Sequence, residues 1–387
     1  MSGPPQFSGL TWDHPRGRDA LEAAAAEVNA GRDRPLIGWS VQPLEGFESA
    51  PIAGLCAAYD IVVMDHPHIG EAVAGGCLHP VEEVLGEAAV AELARAAIGP
   101  AMASYRWQGR HYALPLDVAC QVVARRPDRI ARPPESWEEM AALAAGGRVA
   151  LSLAGPHAIL SLMSLAGSLG AVPRGDDFLP DAAARAALDL LARLYSLRAP
   201  GSDSLNPIGL LDAMATGEAV DLVPLVFGYV PYARPAPDRR ALAFSDTPRA
   251  SGGFGGVLGG TGLAFSRRSQ PSDALRAHLL WLMSPGAQAG FIPARNGQPS
   301  LRDAWADRQV NAVWGNFYRD TAATAEHALL RPRFDGYIAF QAAASAALRD
   351  ALAAGTPHMQ TLATLRGLWR DARVRARGPL DDDRGQP

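Results

Sequence analysis

The chain has 387 residues, of which 48% are hydrophobic and 20% charged, and its formal net charge is -4. Such a near-neutral chain lacks the positive field that attracts nucleic acid, and none of its apolar runs reaches the roughly 18 residues of a membrane span. We therefore expect neither a nucleic-acid partner nor a membrane-embedded protein. All 36 basic residues are Arg, which excludes Schiff-base chemistry on lysine, and the length predicts two lobes because single cores rarely grow this large.

Short apolar runs alternate with alanine-rich helical patterns near the start. The order is "SGLTW", a helix over 19–29, "PLIGWSV", a helix near 48–58, and "YDIVVMD". This alternation predicts a parallel sheet with crossover helices. In such sheets ligands bind outside the carboxyl ends of the strands.

Polar clusters follow the first and third of these predicted strands. "WDHPR" covers residues 12–16 and "DHPH" covers residues 65–68. Because parallel strands end at the same edge of a sheet, we expect the two clusters to meet at one rim. The alternative is that Asp13 and Asp65 cap helices while the His-Pro steps shape turns.

The middle of the chain indicates a second lobe. Two short strands are predicted to flank "LPLDV", and "SWEEM" is a capping box that opens a helix at residue 136. Helices over 155–169, 181–197 and 209–216 precede the strand "AVDLVPLVFGYVPYA". The glycine-rich "SGGFGGVLGGTGLAFSRRSQ" predicts a linker and a return to the sheet, mostly helix follows, and residues 379–387 read as a disordered tail.

The cysteines and the N-terminus bear on location. Cys56, Cys77 and Cys120 are odd in number and widely spaced, which indicates buried thiols in a reducing compartment rather than a disulfide framework or a thiolate metal site. "MSGPPQFSGLTW" lacks a basic region, an apolar core and a lipobox-like cysteine. The expectation is a cytoplasmic protein; the alternative is a periplasmic one whose start is wrongly assigned or whose signal has been removed.

Seven motifs in order resemble a known family. They are "LTWDHPRG", "YDIVVMD", "YALPLDV", "SWEEM", "GEAVDLVPLVFGY", "GGTGLAFSRRS" and "PSDALRAHLLWLMSPGAQ". Their order is similar to that of the bacterial extracellular solute-binding proteins of family 1, the sugar-binding proteins of ABC importers. The resemblance implies a periplasmic-binding-protein-like type II fold: two α/β lobes, each a mixed, mostly parallel sheet flanked by helices, with a ligand cleft between them. Lobe 1 would comprise 8–116 plus 257–305, and lobe 2 would comprise 117–256 plus 306–378.

A cleft of this kind needs hydrogen-bonding side chains and aromatic faces for a buried polar ligand. The candidate ligand-binding residues are Trp12, Asp13, His14, Arg16, Trp39, Asp65, His66, His68, Asp117, Tyr229, Gly259, Gly260 and Arg295. Five of them have a plainer alternative: Asp117 as a hinge salt bridge, Tyr229 as a core aromatic, the two glycines as a hinge, and Arg295 as a surface residue.

The function predicted from the resemblance is binding of a small polar ligand, a carbohydrate or a hydroxylated acid, with an ABC permease as partner if the protein is exported. No cofactor is expected. His66 and His68 with Asp13 or His14 could imitate a metal set, but Pro67 disturbs the segment, so no metal is predicted. The alternative is a cytoplasmic enzyme in which Asp13, Asp65 and nearby histidines act as acid and base on a sugar-like or hydroxy-acyl substrate. The resemblance favours binding over catalysis.

Overall fold

The computed structural model describes residues 3–378, and it confirms the predicted α/β fold. In the described range there are nine strands: β1 (Phe7–Trp12), β2 (Ile37–Gln42), β3 (Ile61–Met64), β4 (Arg106–Trp107), β5 (Arg110–His111), β6 (Leu114–Arg125), β7 (Leu222–Phe227), β8 (Ala243–Ser245) and β9 (Leu258–Phe265).

Eighteen α-helices surround these strands in the same range: α1 (Pro15–Asn29), α2 (Leu44–Ser49), α3 (Ile52–Ala58), α4 (Ile69–Ala74), α5 (Val81–Leu85), α6 (Glu87–Ala96), α7 (Ala101–Ser104), α8 (Trp137–Ala144), α9 (His157–Ser168), α10 (Asp181–Ser196), α11 (Pro207–Thr216), α12 (Asp273–Leu282), α13 (Arg302–Ala306), α14 (Arg308–Val313), α15 (Phe317–Asp320), α16 (Ala322–Glu326), α17 (Tyr337–Ala354) and α18 (His358–Arg375). Short 3₁₀ helices cover His66–His68, Ser202–Ser204, Val230–Ala233 and Pro293–Arg295, and a π-helix covers Ala287–Phe291. None of the helices in residues 3–378 combines the length and the apolar character needed to cross a membrane. The predicted disordered tail, 379–387, lies outside the described residues.

The main sheet has the order β2-β1-β3-β9-β6-β7, and β8 also pairs with β6. β1 is parallel to β2 and β3, as the strand-helix alternation predicts. β9 runs antiparallel to both β3 and β6, and β6 runs antiparallel to β7 and β8. The carboxyl ends of β1 and β3 therefore lie at the same edge, which places the two Asp-His-Pro clusters on one rim.

β6 corrects the prediction of two short strands around "LPLDV". It is a single strand of 12 residues, and all but its last residue are buried. Leu114 to Cys120 pair with β9, while Gln121 to Arg125 pair with β7 and β8. Because β6 is buried on both faces, its sequence does not alternate between apolar and polar residues. Its length therefore could not be predicted from a period-two pattern. The lobe boundaries given above remain a prediction.

Two hydrophobic cores lie on opposite faces of the sheet. In β3, Ile61 and Val63 pack into one core, while Val62 and Met64 pack into the other. This alternation follows from the pleat, which points successive side chains to opposite faces.

Local capping explains where several helices begin. α1 starts at Pro15, earlier than predicted, because His14 is its N-cap: the ring Nδ1 accepts a hydrogen bond from the Arg16 amide at 3.1 Å. The helix predicted over 48–58 is two helices, α2 and α3, since Pro51 interrupts it. The predicted cap of α8 is confirmed, because Ser136 Oγ accepts from the Glu139 amide at 3.1 Å.

Candidate functional site

A small cavity lies where the carboxyl ends of β1 and β3 face the end of β7. Its volume is about 40 Å³, room for roughly three water molecules. The lining residues are Trp12, Arg16, Leu44, Phe47, Glu48, Asp65, Phe227, Tyr229, Gly259, Gly260 and Thr261. Six of them belong to the predicted set: Trp12, Arg16, Asp65, Tyr229, Gly259 and Gly260.

Arg16 is the central charge of this cavity. Its Nε lies 3.0 and 2.9 Å from the two carboxylate oxygens of Asp117, and its Nη2 also contacts that carboxylate. Nη1 donates to the Gly228 carbonyl at 3.1 Å. Because α1 carries Arg16 whereas Gly228 follows β7, this side chain ties the β1 rim to the opposite wall. Although burial opposes the charge, Asp117 raises the pKa of Arg16, so the guanidinium stays ionised.

Aromatic rings surround the same guanidinium. Its carbon lies 4.7 Å from the centroid of Tyr229 and 5.7 Å from that of Trp12, within the range of cation–π contacts. His14 stacks on Trp12 with centroids 5.1 Å apart and meets Tyr229 edge-on at 5.0 Å. Burial, reinforced by Arg16, lowers the pKa of His14 to about 3. The ring is therefore neutral at physiological pH, as its role as an acceptor for the Arg16 amide requires.

Asp65 is a second carboxylate at the rim, and it is partly buried. It pairs with Arg331 and accepts from the His66 amide at 2.9 Å, so it both caps the 3₁₀ helix that follows β3 and lines the cavity. Burial disfavours its charge, yet Arg331 and the hydrogen bond from His66 hold the pKa of Asp65 well below its usual range. His66 Nδ1 lies 3.2 Å from Asp65, and burial lowers the pKa of His66 to about 4. Asp65 is thus a carboxylate, not an acid, at neutral pH.

Glu48 and His157 approach each other from separate helices. Glu48, on α2, places Oε1 3.4 Å from Nε2 of His157, the first residue of α9. His157 is 2% exposed, and neither of its ring nitrogens has a hydrogen-bond partner of good geometry among the described residues. Phe227 packs edge-on against this imidazole at 5.8 Å. Thr261 Oγ also lacks a partner there, which leaves buried polar atoms beside the cavity.

Four predicted residues lie away from the cavity lining. Asp13 is 53% exposed and pairs with Arg18 at 2.5 Å. Trp39 is on β2, where its ring covers Gly9. His68 is buried and lies 3.7 Å from Glu71. Arg295 lies over the Phe291 ring at 3.5 Å and pairs with Glu27.

The remaining three predicted residues do not line the cavity, but each contacts a residue that does. His14 acts through Trp12 and Tyr229, Asp117 through Arg16, and His66 through Asp65. His66 and His68 belong to a 3₁₀ helix that also contains Pro67, which disturbs a strand conformation. Within residues 3–378 no three His, Cys, Asp or Glu side chains are grouped so that they could hold a metal ion.

Sequence reasoning missed the α2 contribution. Leu44, Phe47 and Glu48 follow β2, whose carboxyl end lies beside that of β1. The rule that placed the clusters after β1 and β3 applies equally to "LEGFES" after β2. His157 offers no comparable signal, because its position depends on how α9 packs.

The fold is shared with solved structures over nearly their whole length. An ABC transporter solute-binding protein from Agrobacterium radiobacter K84, in complex with ribitol, is 20% identical with a TM-score of 0.77, covering 94% of this chain and 98% of that one. The GacH receptor of Streptomyces glaucescens, solved unliganded and with acarbose, is 16% identical with a TM-score of 0.78, covering 97% and 99%. UgpB from Mycobacterium tuberculosis, in complex with glycerophosphocholine, is 16% identical with a TM-score of 0.76, covering 97% and 99%.

No family model and no curated protein matches the chain. The structural likeness is nonetheless extensive, since it runs through both halves of the molecule. The chain therefore has the two-lobed, periplasmic-binding-protein-like type II fold that these solute-binding proteins share.

Proposed function

We propose that this protein is a solute-binding protein whose lobes close over a small polar ligand, a carbohydrate or polyol. The observation that carries the proposal is the composition of the cavity at the junction of β1, β3 and β7. It combines the aromatic side chains of Trp12, Phe227 and Tyr229 with the carboxylates of Glu48 and Asp65. Aromatic rings suit the apolar faces of a sugar, and carboxylates accept hydrogen bonds from its hydroxyl groups.

The charge balance of the site favours a neutral ligand over a hydroxylated acid. Arg16 and Arg331 are already paired with Asp117 and Asp65, respectively. Glu48 adds a further negative charge at the lining. An anionic ligand would be repelled by this carboxylate, and the Arg16 of the lining is already paired with Asp117. The hydroxyl groups of a neutral ligand would instead donate hydrogen bonds to the carboxylate.

The present volume of the cavity sets a condition on binding. About 40 Å³ holds waters but not a sugar ring, whose site would lie nearer the roughly 300 Å³ at the lower end for ligand pockets. The contacts that close it, Arg16 with Gly228 and Glu48 with His157, join opposite walls. Ligand entry on this proposal requires these walls to separate and then to close again around the ligand.

Several of the structural neighbours were solved with ligands of the same class. Their ligands are ribitol, acarbose, maltose and D-mannitol. By this likeness we further propose delivery of the ligand to an ABC permease, and hence a location outside the cytoplasmic membrane in place of the cytoplasmic one expected from the N-terminus.

The enzyme alternative gains no support from the geometry. Asp13 is exposed and pairs with Arg18, while Asp65 is held ionised by Arg331. A general acid must carry a proton near neutral pH, and the ionised Asp65 does not.

The test is a thermal-shift screen of the purified protein against neutral sugars, polyols and sugar acids, followed by calorimetry and product analysis on every hit. We expect a rise in Tm with a neutral hydroxylated compound and no product. Tyr229→Ala and Glu48→Gln should lose at least tenfold in affinity, and Asp13→Asn, at an exposed position, should not. Turnover of a hit, or no binding by any compound, would contradict the proposal.

A further inference from the structure

A second, larger cavity of about 520 Å³ lies among α8, α9 and α10. Its walls are the start of α8, the end of α9, one face of α10 and the loop that contains Ala250. The lining residues are Trp137, Glu138, Leu165, Ser168, Leu169, Ala186, Asp189, Leu190, Arg193, Arg249 and Ala250. None of them lines the smaller cavity at β1, β3 and β7. The larger volume falls within the range of small-molecule sites, roughly 300–1,000 Å³.

The helix α9 separates the two cavities. Its first residue, His157, contacts Glu48 of the smaller cavity, whereas Ser168 and Leu169 at its other end line the larger one. With a rise of about 1.5 Å per residue, the two ends of this helix are about 16 Å apart. A small molecule in the larger cavity therefore lies apart from the residues proposed above to bind a carbohydrate or polyol.

The larger cavity has apolar walls and a hydrogen-bond donor that is not used. Leu165 is buried on α9, while Leu169 and Leu190 are half-buried. Trp137, the first residue of α8, is 5% exposed, and its indole N–H has no hydrogen-bond partner among the described residues. A buried N–H without a partner is destabilising, and an acceptor group on a bound molecule would remove this cost.

Charged side chains complete the lining, and unpaired cations outnumber unpaired anions. Arg193 and Arg249 are exposed, and neither side chain forms an ion pair within residues 3–378. Of the two acidic residues, Asp189 lies 2.7 Å from the His358 ring, whereas Glu138 forms no ion pair in the same range. The unused donors, two guanidinium groups and one indole N–H, therefore exceed the one unpaired carboxylate.

We propose that the larger cavity binds a small molecule with an apolar body and one carboxylate group. The apolar body packs against the leucine side chains and Trp137, which removes apolar surface from water. The carboxylate accepts hydrogen bonds from the guanidinium groups of Arg193 and Arg249, since arginine pairs with carboxylates in a favourable planar geometry. Binding here does not depend on what the smaller cavity holds.

The first experiment measures binding of naphthylacetic acid to the full-length protein by calorimetry. Naphthylethanol and naphthylethylamine, with the same ring attachment, are the neutral and cationic comparisons. We expect the acid to bind at least about tenfold more tightly than either, because only its carboxylate pairs with the guanidinium groups. Equal binding of the three compounds, tightest binding of the amine, or failure of the acid to saturate the protein by about 1 mM would overturn the proposal.

Hydrogen–deuterium exchange with and without naphthylacetic acid locates the bound molecule. We expect slower exchange in the segments that line the larger cavity, residues 137–144, 165–169 and 186–193. Slower exchange confined to segments of the smaller cavity, such as 44–48 and 227–229, would place the acid there and overturn the assignment.

A matched pair of substitutions tests the charge preference from the protein side. Ala186 is exposed on α10 and lines the larger cavity. Glutamate and glutamine are similar in size and both favour helix. Ala186→Glu should weaken binding of naphthylacetic acid at least about fivefold more than Ala186→Gln, because only the former adds a negative charge beside the carboxylate. Equal effects of the two substitutions would contradict the assigned ligand class.

Substitutions of arginine identify the donors. Arg193→Gln and Arg249→Gln should each weaken binding of naphthylacetic acid by about three- to tenfold. Arg185→Gln is the matched control, because this arginine is also exposed on α10 but does not line the cavity. Unchanged affinity in both Arg193→Gln and Arg249→Gln, or an equal loss in Arg185→Gln, would overturn the proposal.

Discussion

Two ion pairs near the cavity differ greatly in how much of each side chain is exposed to solvent. The side chains of Arg16 and Asp117 are 4% and 3% exposed. Those of Arg18, which is on the same helix as Arg16, and Asp13, which precedes that helix, are 32% and 53% exposed. A buried charge without a partner costs several kcal/mol, while an exposed pair contributes little because water screens it.

Arg16→Met is therefore expected to lower the free energy of unfolding by about 3–5 kcal/mol, because it leaves the Asp117 carboxylate buried and unpaired. Arg18→Met is the matched control and should cost less than about 1 kcal/mol. Urea denaturation of each variant measures the difference. The double variant Arg16→Met/Asp117→Leu should recover most of the loss, and equal losses in the two single variants would contradict this account.

His14 predicts a dependence of stability on pH. Its pKa is about 3 in the folded protein and about 6.5 in the unfolded chain, so the unfolded state binds more protons between these values. The stability that the neutral ring contributes is present above about pH 6.5 and is lost as the pH falls toward 3, by about 1–2 kcal/mol at about pH 5. His14→Asn keeps a capping acceptor but does not titrate. Its unfolding free energy should fall less between about pH 7 and 5 than that of the wild type or of the exposed control His327→Asn; parallel curves for all three would rule the mechanism out.

At the scale of elements, the pairing of β6 with β9 shapes the floor of the cleft. The register shifts between Pro115 and Asp117, and Gly260 of β9 lies opposite with φ = 114°, a conformation that side chains rarely adopt. A Cβ there would meet the Asp117 carbonyl oxygen, and one on Gly259 would come within 2.5 Å of the Phe227 ring. Gly260 is thus required by close packing of the backbone and Gly259 by the neighbouring Phe227 ring, whatever they donate to a ligand.

Gly260→Ala should lower the free energy of unfolding by about 2–4 kcal/mol, because it combines an unfavourable φ with a backbone clash. Gly54→Ala is the control: this glycine is inside α3 and a Cβ there meets nothing within 4 Å, so alanine should raise stability by about 0.5–1 kcal/mol. Chemical denaturation compares the two, and a neutral Gly260→Ala would show that the strand can shift to accept the methyl group.

The sequence predicted the elements that have strong local signals, but it did not predict features that depend on tertiary packing. The first three strands and the rim clusters followed from alternation and strand ends, and "SWEEM" correctly marked the cap of α8. The length of β6 was misjudged because burial on both faces removes the alternating pattern. The position of His157 could not be predicted for a different reason: it depends on helices that tertiary packing brings together.

At the scale of the whole molecule, the small volume of the cavity, about 40 Å³, predicts the kinetics of binding. If a ligand enters only after the walls separate, the observed rate should reach a plateau set by opening as ligand concentration rises. Stopped-flow tryptophan fluorescence, with Trp12 at the cavity as reporter, measures it with the best ligand from the screen. Glu48→Ala removes the contact with His157 and should raise the plateau severalfold, whereas Glu45→Ala, on the exposed side of α2, should not. A rate that keeps rising linearly would indicate that the site is open before binding.

The continuity of β6 has a practical consequence for dissecting this protein. The first part of β6 pairs with β9 and the last part pairs with β7 and β8. A cut near residue 120 would therefore leave each fragment with a truncated strand and unpaired sheet edges. Fragments expressed separately should aggregate, so genetic dissection of this protein will succeed only with designs that keep 114–125 intact.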